Sequence, residues 1–246
     1  MLYIIFLLAF TEVNSQTERD AILRKNEAII VYPVNIKGER DLPYCSNELG
    51  KVACNIIQQR FWFPSIAYRQ CRCQDRSECD KTPTRYGRDD NSVESSVFLS
   101  SGAELKFCDS LKDLPECKVG EIGLEIYMSK SADKLSDTNP KPGVPAKISL
   151  HCKPNDRYYQ WRKTYDQHIN KTMDKTYAYE HLTKCKLGNF CGYISRDTFS
   201  TYYKCQCPSG QMCLPKEQSQ LQSISEVLFE GFAYEGFCSK VRGFDD

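Results

Sequence analysis

The chain has 246 residues, of which 41% are hydrophobic, 26% are charged and 14 are cysteines, and its formal net charge is +1. A charge this close to zero argues against a dedicated nucleic-acid-binding protein, which needs a basic excess to neutralise phosphates. The aromatic content of 12% argues against disorder along the whole chain. The longest apolar run, residues 2–10, is shorter than the roughly 20 residues that a membrane-spanning helix needs.

The N-terminal end has the pattern of a secretory signal peptide. The apolar run is followed by Val13-Asn14-Ser15, which places small side chains at the first and third positions before a cleavage site. We predict cleavage after Ser15; the alternative is a buried N-terminal strand of a cytosolic protein. All 14 cysteines follow the signal, an even number that suits disulfides in an oxidising compartment. We therefore expect a secreted, extracellular protein.

The cysteine spacing contains an internal repeat. In residues 45–108 it is C-x8-C-x16-C-x-C-x5-C-x28-C, and in residues 185–238 it is C-x5-C-x13-C-x-C-x5-C-x24-C. Residues 97–108 also align without a gap to residues 227–238. We infer two copies of one six-cysteine unit, called module 1 (residues 45–108) and module 2 (residues 185–238). Residues 16–44 precede module 1, and residues 239–246 form a tail.

The middle segment, residues 109–184, carries only Cys117 and Cys152. Strand-like stretches at 122–128 and 146–150 flank a proline-rich loop at 131–145. We interpret the segment as a degenerate third module that retains one cystine. In this interpretation Cys117 is equivalent to the second cysteine of each module, Cys54 and Cys191, and Cys152 to the third, Cys71 and Cys205.

This equivalence predicts three hairpin cystines: Cys54–Cys71, Cys117–Cys152 and Cys191–Cys205. In a Cys-x-Cys strand the two side chains share a face, but their Cα atoms lie roughly 6.5–7 Å apart, at the limit for a cystine. Cys71 and Cys73 should therefore bond to different partners. Three connectivities of the remaining cysteines stay open. We favour first-to-fourth and fifth-to-sixth pairing: Cys45–Cys73, Cys79–Cys108, Cys185–Cys207 and Cys213–Cys238.

The predicted fold class is small, disulfide-rich and mainly β, with repeated cystine-stapled antiparallel sheet modules and long loops. Modules of this size have marginal cores, which cystines reinforce. Residues rich in β-branched and aromatic side chains predict strands at 28–34, 60–68, 97–107, 198–204 and 227–237. Only 19–27 and 217–225 have the composition of a helix.

The sequence lacks a recognisable catalytic motif. Its three histidines, His151, His168 and His181, form no H-E-x-x-H pair, and no G-x-S-x-G occurs. The cysteines could in principle hold zinc, but the secreted context and the repeated frame favour disulfides. We expect no enzyme, no metal and no cofactor.

One stretch is a candidate binding surface, because it interleaves basic and aromatic side chains of the types enriched in binding hot spots. The alternative is a β-hairpin with its aromatic residues inward and its charges outward. A nearby sequon, Asn170-Lys171-Thr172, predicts a glycan at Asn170 and a surface loop. The candidate residues are Arg157, Tyr158, Tyr159, Trp161, Arg162, Lys163 and Tyr165.

The frame resembles a known family of secreted proteins. The pattern includes Leu42-Pro43-Tyr44-Cys45, Cys71-Arg72-Cys73, Leu150-His151-Cys152 and Cys205-Gln206-Cys207-Pro208-Ser209-Gly210-Gln211-Met212-Cys213. Together these motifs are similar to family eleven of the centipede scoloptoxins, over residues 42–238. One departure is that relatives often carry Cys-x-Cys in the central segment, whereas here Lys153-Pro154 follows Cys152. More distantly, the repeat resembles the Argos (giant-lens) type of secreted growth-factor antagonist.

The two resemblances imply different functions. The first implies a venom toxin that binds and impairs a voltage-gated potassium channel. The second implies an antagonist that sequesters an EGF-like growth factor or blocks its receptor. We expect a monomer whose partner is an extracellular protein.

Overall fold

The structure, a computed structural model, describes residues 28–33, 36–46, 50–60, 63–74, 77–84, 94–129, 145–156, 158–169, 172–186, 188–216 and 220–240. Within these ranges the chain forms fourteen strands and a 3-10 turn at Glu39–Asp41. The strands are β1 (Ile29–Val31), β2 (Lys51–Gln58), β3 (Ile66–Arg69), β4 (Ser96–Ser100), β5 (Ala103–Phe107), β6 (Ile122–Ser129), β7 (Pro145–Leu150), β8 (Tyr159–Ile169), β9 (Thr172–His181), β10 (Phe190–Ser195), β11 (Thr201–Tyr203), β12 (Gln211–Pro215), β13 (Leu221–Glu226) and β14 (Phe229–Lys240). The predicted disulfide-rich, mainly β fold is confirmed.

Each predicted strand overlaps an observed one, but two details differ. The stretch 97–107 forms two strands, β4 and β5, which turn at Ser101 and Gly102. The predicted helix at 217–225 is wrong where it is described, because β13 alternates exposed and half-buried side chains and pairs with β14. The predicted helix at 19–27 and the signal peptide lie outside the described residues. Among the described residues, no helix is long and apolar enough to cross a membrane.

The strands form two sheets. The larger runs β1-β3-β2-β7-β6-β9-β8, with β5 pairing β2 and β4 beside this path. The smaller runs β11-β10-β14-β12, with β13 also on β14. At its first two residues β2 pairs with β7, through Lys51 opposite Leu150 and Val52 opposite Ser149. Module 1 and the middle segment therefore share one continuous sheet, while module 2 has its own.

All three units begin with the same cystine-braced backbone contact, which we call the clasp. The residue before the first cysteine forms a parallel bridge with the residue after the third. The bridges are Tyr44 with Arg72, Glu116 with Lys153, and Lys184 with Gln206. The cystines that close them are Cys45–Cys71, Cys117–Cys152 and Cys185–Cys205, with Cα–Cα distances of 5.1, 4.9 and 5.2 Å.

In all three units, the strand pairing shifts register at the position of the second cysteine. The strand after each clasp pairs with the unit's last strand, and the register shifts between Ala53 and Asn55 in module 1 and between Phe190 and Gly192 in module 2. The middle segment shifts in the same place, between Ile122 and Leu124. Gly123 therefore stands where the modules have their second cysteine.

The observed pairing is first-to-third, second-to-fifth and fourth-to-sixth in both modules. Only Cys117–Cys152 of the predicted pairs is confirmed. The predicted Cys54–Cys71, Cys191–Cys205, Cys45–Cys73, Cys79–Cys108, Cys185–Cys207 and Cys213–Cys238 are wrong. In their place are Cys45–Cys71, Cys54–Cys79, Cys73–Cys108, Cys185–Cys205, Cys191–Cys213 and Cys207–Cys238, with no free cysteine.

The physical reason is the clasp. Because the third cysteine sits at its bridge, it bonds across to the first cysteine rather than back to the second, on β2 or β10. Cys117 is accordingly equivalent to Cys45 and Cys185, which corrects the predicted equivalence. As predicted, Cys71 and Cys73 bond to different partners, and no cystine joins the two modules.

The main core lies between module 1 and the middle segment and includes Ile56, Leu105, Leu124, Ile148 and Tyr177. Since these side chains come from both units, neither buries its apolar face alone.

Module 2 docks through its hairpins. Val227, at the turn between β13 and β14, is 3% exposed and belongs to the main core. Lys175 of β9 donates to Glu230 beside that turn at 2.7 Å. The turn between β4 and β5 of module 1 also contacts module 2, because the Ser101 amide donates to the Thr201 carbonyl at 3.2 Å.

The other face of module 1 buries charge. Lys106, with no side-chain exposure, lies 3.4 Å from Glu104 and 3.2 Å from Asp80, and donates to the Thr84 hydroxyl at 2.7 Å. Asn55 donates to the Asp80 carbonyl at 2.8 Å. These contacts hold residues 79–84 across β2 and β5.

Candidate binding surface

The candidate stretch is an edge strand whose side chains separate into two environments. Trp161 is 4% exposed and packs in the main core, and Tyr159 is half-buried beside it. Arg162, Lys163 and Tyr165 are exposed, as is Tyr158 just before the strand. The predicted alternative, a hairpin with aromatic residues inward, therefore holds for Tyr159 and Trp161 but not for Tyr158 and Tyr165. The predicted contact Trp161 is therefore not on the surface, and Arg157 and Asn170 lie outside the described residues.

The inward residues form an aromatic cluster with Tyr179 on β9. The ring centroids are 5.8 Å apart for Tyr159 and Trp161, 5.7 Å for Tyr159 and Tyr179, and 6.0 Å for Trp161 and Tyr179. The Tyr159 hydroxyl donates to the Phe98 carbonyl of β4 at 2.9 Å. The cluster thus ties the middle segment to module 1.

Tyr179 replaces a cystine partner. Ala178 lies opposite Ile122, and Tyr179 is the next residue. In module 1 the sixth cysteine likewise follows Phe107, which lies opposite Ala53. Tyr179 therefore occupies the position of the sixth cysteine. Its hydroxyl donates to Asn155 Oδ1 at 2.8 Å, just beyond the clasp cysteine Cys152. Burial and the negative charge of Asp156 raise the pKa of the Tyr179 phenol. A hydrogen bond here takes the place of the fourth-to-sixth cystine.

Where the three units meet, a concave surface opens, which we call the junction groove. Phe98, Tyr159, Trp161, Tyr202 and Glu226 are among its lining residues. β4 belongs to module 1, β8 to the middle segment, and β11 and β13 to module 2. The groove therefore exists only when all three units are docked.

The groove offers a few polar groups among its rings. Lys204 pairs with Glu226 at 2.7 Å. Burial raises the pKa of the Tyr202 phenol, which makes a side-chain hydrogen bond with Ser100. The Trp161 Nε1 is buried without a hydrogen-bond acceptor among the described residues.

The outer side of β8 has a different character. β8 ends the strand order of the larger sheet, so β9 is its one neighbour within the described sheet. Arg162 pairs with Glu180 on β9, and Tyr165 is 56% exposed. Edge strands with exposed aromatic and basic side chains are suited to protein contacts.

Module 2 carries two exposed aromatic residues that sequence reasoning missed. Phe199 is 55% exposed and has φ of +56°, in a turn where its amide donates to the Ser195 carbonyl at 3.0 Å. Phe232 is 56% exposed, and its carbonyl accepts from the Arg196 amide at 3.0 Å. Phe199 was placed in a predicted strand, because a bulky residue at positive φ leaves no sequence signal.

The described histidine side chains lie apart from the groove lining. His151 is 3.0 Å from Glu125, and His181 is 3.3 Å from Asp156; the side chain of His168 lies outside the described residues. Among the described residues, the groupings with the spacing of metal ligands consist of cystine sulfurs, namely Cys54, Cys73 and Cys79, and Cys185, Cys207 and Cys238.

The fold and the surface define the chain as a cystine-stapled all-β protein of three clasped units. It is similar to the crystal structure of unliganded Argos, with 21% sequence identity and a TM-score of 0.48, over 87% of this chain and 99% of that one. No family model and no curated protein matches the chain. The resemblance to the scoloptoxins therefore gains no support from the comparisons.

Proposed function

We propose that this protein is a secreted antagonist that binds an EGF-like growth factor or occupies its receptor. The observation that carries the proposal is the junction groove beside the exposed edge of β8. The groove combines aromatic rings with a Lys204–Glu226 ion pair, and exposed basic and aromatic side chains follow on β8, a combination that is typical of protein-binding surfaces.

Secretion is supported by the covalent frame. All 14 cysteines are paired, and such density is typical of extracellular proteins because reducing compartments keep thiols free. The growth-factor class comes from the resemblance of the repeated cysteine frame to the Argos type. The toxin hypothesis stays a prediction without a structural observation that favours it.

The test is direct binding of the mature protein to an immobilised EGF-like growth factor and to the ectodomain of its receptor. We expect capture of one of the two. The double variant Lys163→Glu, Tyr165→Ala changes exposed side chains of β8 and should weaken binding about tenfold, or 1.4 kcal/mol.

The matched control is Lys118→Glu, Val119→Ala, which makes the same kind of change at exposed positions in the turn before β6. It should leave the affinity unchanged. Block of a voltage-gated potassium channel without capture of either growth-factor component would contradict the proposal and favour the toxin.

A further inference from the structure

The three cystines of module 1 form a continuous column of sulfur atoms. Cys108 Sγ lies 3.7 Å from Cys45 Sγ, although each is bonded to another cysteine. At the other end, Cys73 Sγ lies within 4.8 Å of both Cys54 Sγ and Cys79 Sγ. The Cys73–Cys108 cystine therefore lies between the other two. A thiolate released there is already in contact with a neighbouring disulfide.

Module 2 has the same contact between its fourth-to-sixth cystine and its clasp. The Sγ atoms of Cys185, Cys207 and Cys238 lie within 4.8 Å of one another, so the Cys207–Cys238 cystine packs against the sulfur of Cys185. Cys185 is the clasp cysteine of module 2, as Cys45 is of module 1. In both modules, the fourth-to-sixth cystine thus lies against the cystine that closes the clasp.

The fourth-to-sixth cystine is also the one that solvent reaches in module 1. Cys108 is half-buried, whereas the other five cysteines of module 1 are each 5% exposed or less. In module 2, Cys207 of the fourth-to-sixth cystine and Cys205 of the clasp cystine are both half-buried. In module 1, a reductant in solution therefore meets the fourth-to-sixth cystine first.

We propose that each module is a redox relay, in which reduction of the fourth-to-sixth cystine is passed to the clasp. A dithiol reductant first gives two electrons to Cys73–Cys108 and is itself oxidised to a disulfide. The Cys108 thiolate then attacks Cys45 Sγ. The Cys45–Cys108 bond forms, the Cys45–Cys71 bond breaks, and the electron pair leaves on Cys71. This second step involves no net oxidation or reduction.

The relay ends with two thiols on the Cys-x-Cys strand. Cys71 and Cys73 stay free, because their Cα atoms in an extended strand are roughly 6.5–7 Å apart, at the limit for a cystine. The clasp loses its covalent brace at the bridge between Tyr44 and Arg72. Attack of Cys238 on Cys185 would do the same in module 2 and leave thiols on Cys205 and Cys207.

The middle segment is a control built into the chain. Its clasp cystine, Cys117–Cys152, is 3% and 1% exposed at its two cysteines. The hydrogen bond from Tyr179 to Asn155 stands where the fourth-to-sixth cystine lies in the modules, so no neighbouring thiol can start an exchange. The Cys117–Cys152 cystine should stay closed under conditions that open the other two clasps.

The test follows the free thiols of the intact protein in time. The protein receives one equivalent of dithiothreitol at about pH 8.5, where a substantial share of thiols is ionised. Samples are quenched in acid at intervals, labelled with a maleimide and mapped. We expect early label on Cys73 and Cys108, followed by loss of label from Cys108 matched by its gain on Cys71. Cys117 and Cys152 should carry none.

A double variant removes the acceptor of the relay. In Cys45→Ser, Cys71→Ser the label should remain on Cys73 and Cys108, whereas in the matched control Cys117→Ser, Cys152→Ser the transfer should persist. If either variant fails to fold, the time course of the unmodified protein decides. Label that stays on Cys73 and Cys108 in that protein, or that appears first on Cys54 and Cys79, would overturn the proposal.

Discussion

The ring of Trp161 occupies the space that a side chain at Gly123 would need. A Cβ at Gly123 would lie 2.8 Å from Cζ3 of Trp161 and 2.7 Å from Sγ of Cys152. In the modules, a cysteine stands at this place and carries the second-to-fifth cystine. The middle segment therefore keeps the shape of a module by replacing a cystine with glycine and an indole ring.

This contact makes Gly123→Ala destabilising. The added methyl group would press on a packed ring and a cystine, and overpacking of this kind costs about 1–3 kcal/mol. Urea unfolding of the oxidised protein measures the loss. Gly38→Ala is the control, because no atom lies within 4 Å of a Cβ built there. Equal stability of the two variants would show that the Trp161 ring moves aside without strain.

The two halves of the candidate stretch should respond differently to alanine. Trp161→Ala removes a core ring and should cost about 3–5 kcal/mol of unfolding free energy. Lys163→Ala changes an exposed side chain and should stay within about 0.5 kcal/mol. Thermal or urea unfolding separates them. A fully stable Trp161→Ala protein would contradict the inward placement of this residue.

The buried ion cluster of module 1 predicts a large effect for Lys106→Met. The variant leaves Glu104, which is 1% exposed, without its ammonium partner. Loss of one partner from a buried pair costs about 3–5 kcal/mol. Lys112→Met is the control, because Lys112 pairs with Glu94 at the surface. Similar stability of both variants at pH 7 would argue against a desolvated pair.

Glu104 also predicts a pH dependence. Burial raises the pKa of this carboxyl above 4.5, and the charge of Lys106 offsets the effect only in part. The folded protein therefore binds this proton more tightly than the unfolded chain. Its contribution to stability is complete below the unfolded pKa and is lost as the pH rises through the folded pKa.

The advantage of the unmodified protein over Glu104→Gln should accordingly shrink as the pH rises above the range in which an exposed glutamate titrates. Urea unfolding at a series of pH values measures this difference. An advantage that grows with pH would mean that the pairing with Lys106, rather than burial, governs Glu104.

The positive φ of Phe199 predicts that glycine at this position is more stable than alanine. A residue with a Cβ pays roughly 1–2 kcal/mol at positive φ, and glycine does not. Phe199→Gly should therefore be about 1 kcal/mol more stable than Phe199→Ala, because both variants remove the ring and only one removes the backbone strain. Equal unfolding free energies of the two variants would contradict the left-handed conformation of this turn.

Sequence reasoning identified many of the strands because their own apolar side chains indicate them. The strands at 122–128 and 146–150 were predicted from Ile and Leu side chains, which now pack as Leu124, Ile126, Ile148 and Leu150 in the main core. It missed β2 and β10, which cross the cysteine-rich parts of the modules. It also predicted a helix where β13 forms, because the polar residues 221–226 are held in a strand by their neighbour β14 rather than by their own propensity.

By itself, the sequence determined that the chain is a repeat of two six-cysteine frames around a one-cystine middle, and that the Cys-x-Cys pairs bond elsewhere. These conclusions need only spacing and strand geometry. Tertiary structure alone decided which sulfurs pair, because cystines in one module lie within contact distance of each other and several pairings satisfy the same spacing. It also decided that Trp161 faces inward and that three units close one groove. Such placements depend on how separate sheets dock, which no local pattern encodes.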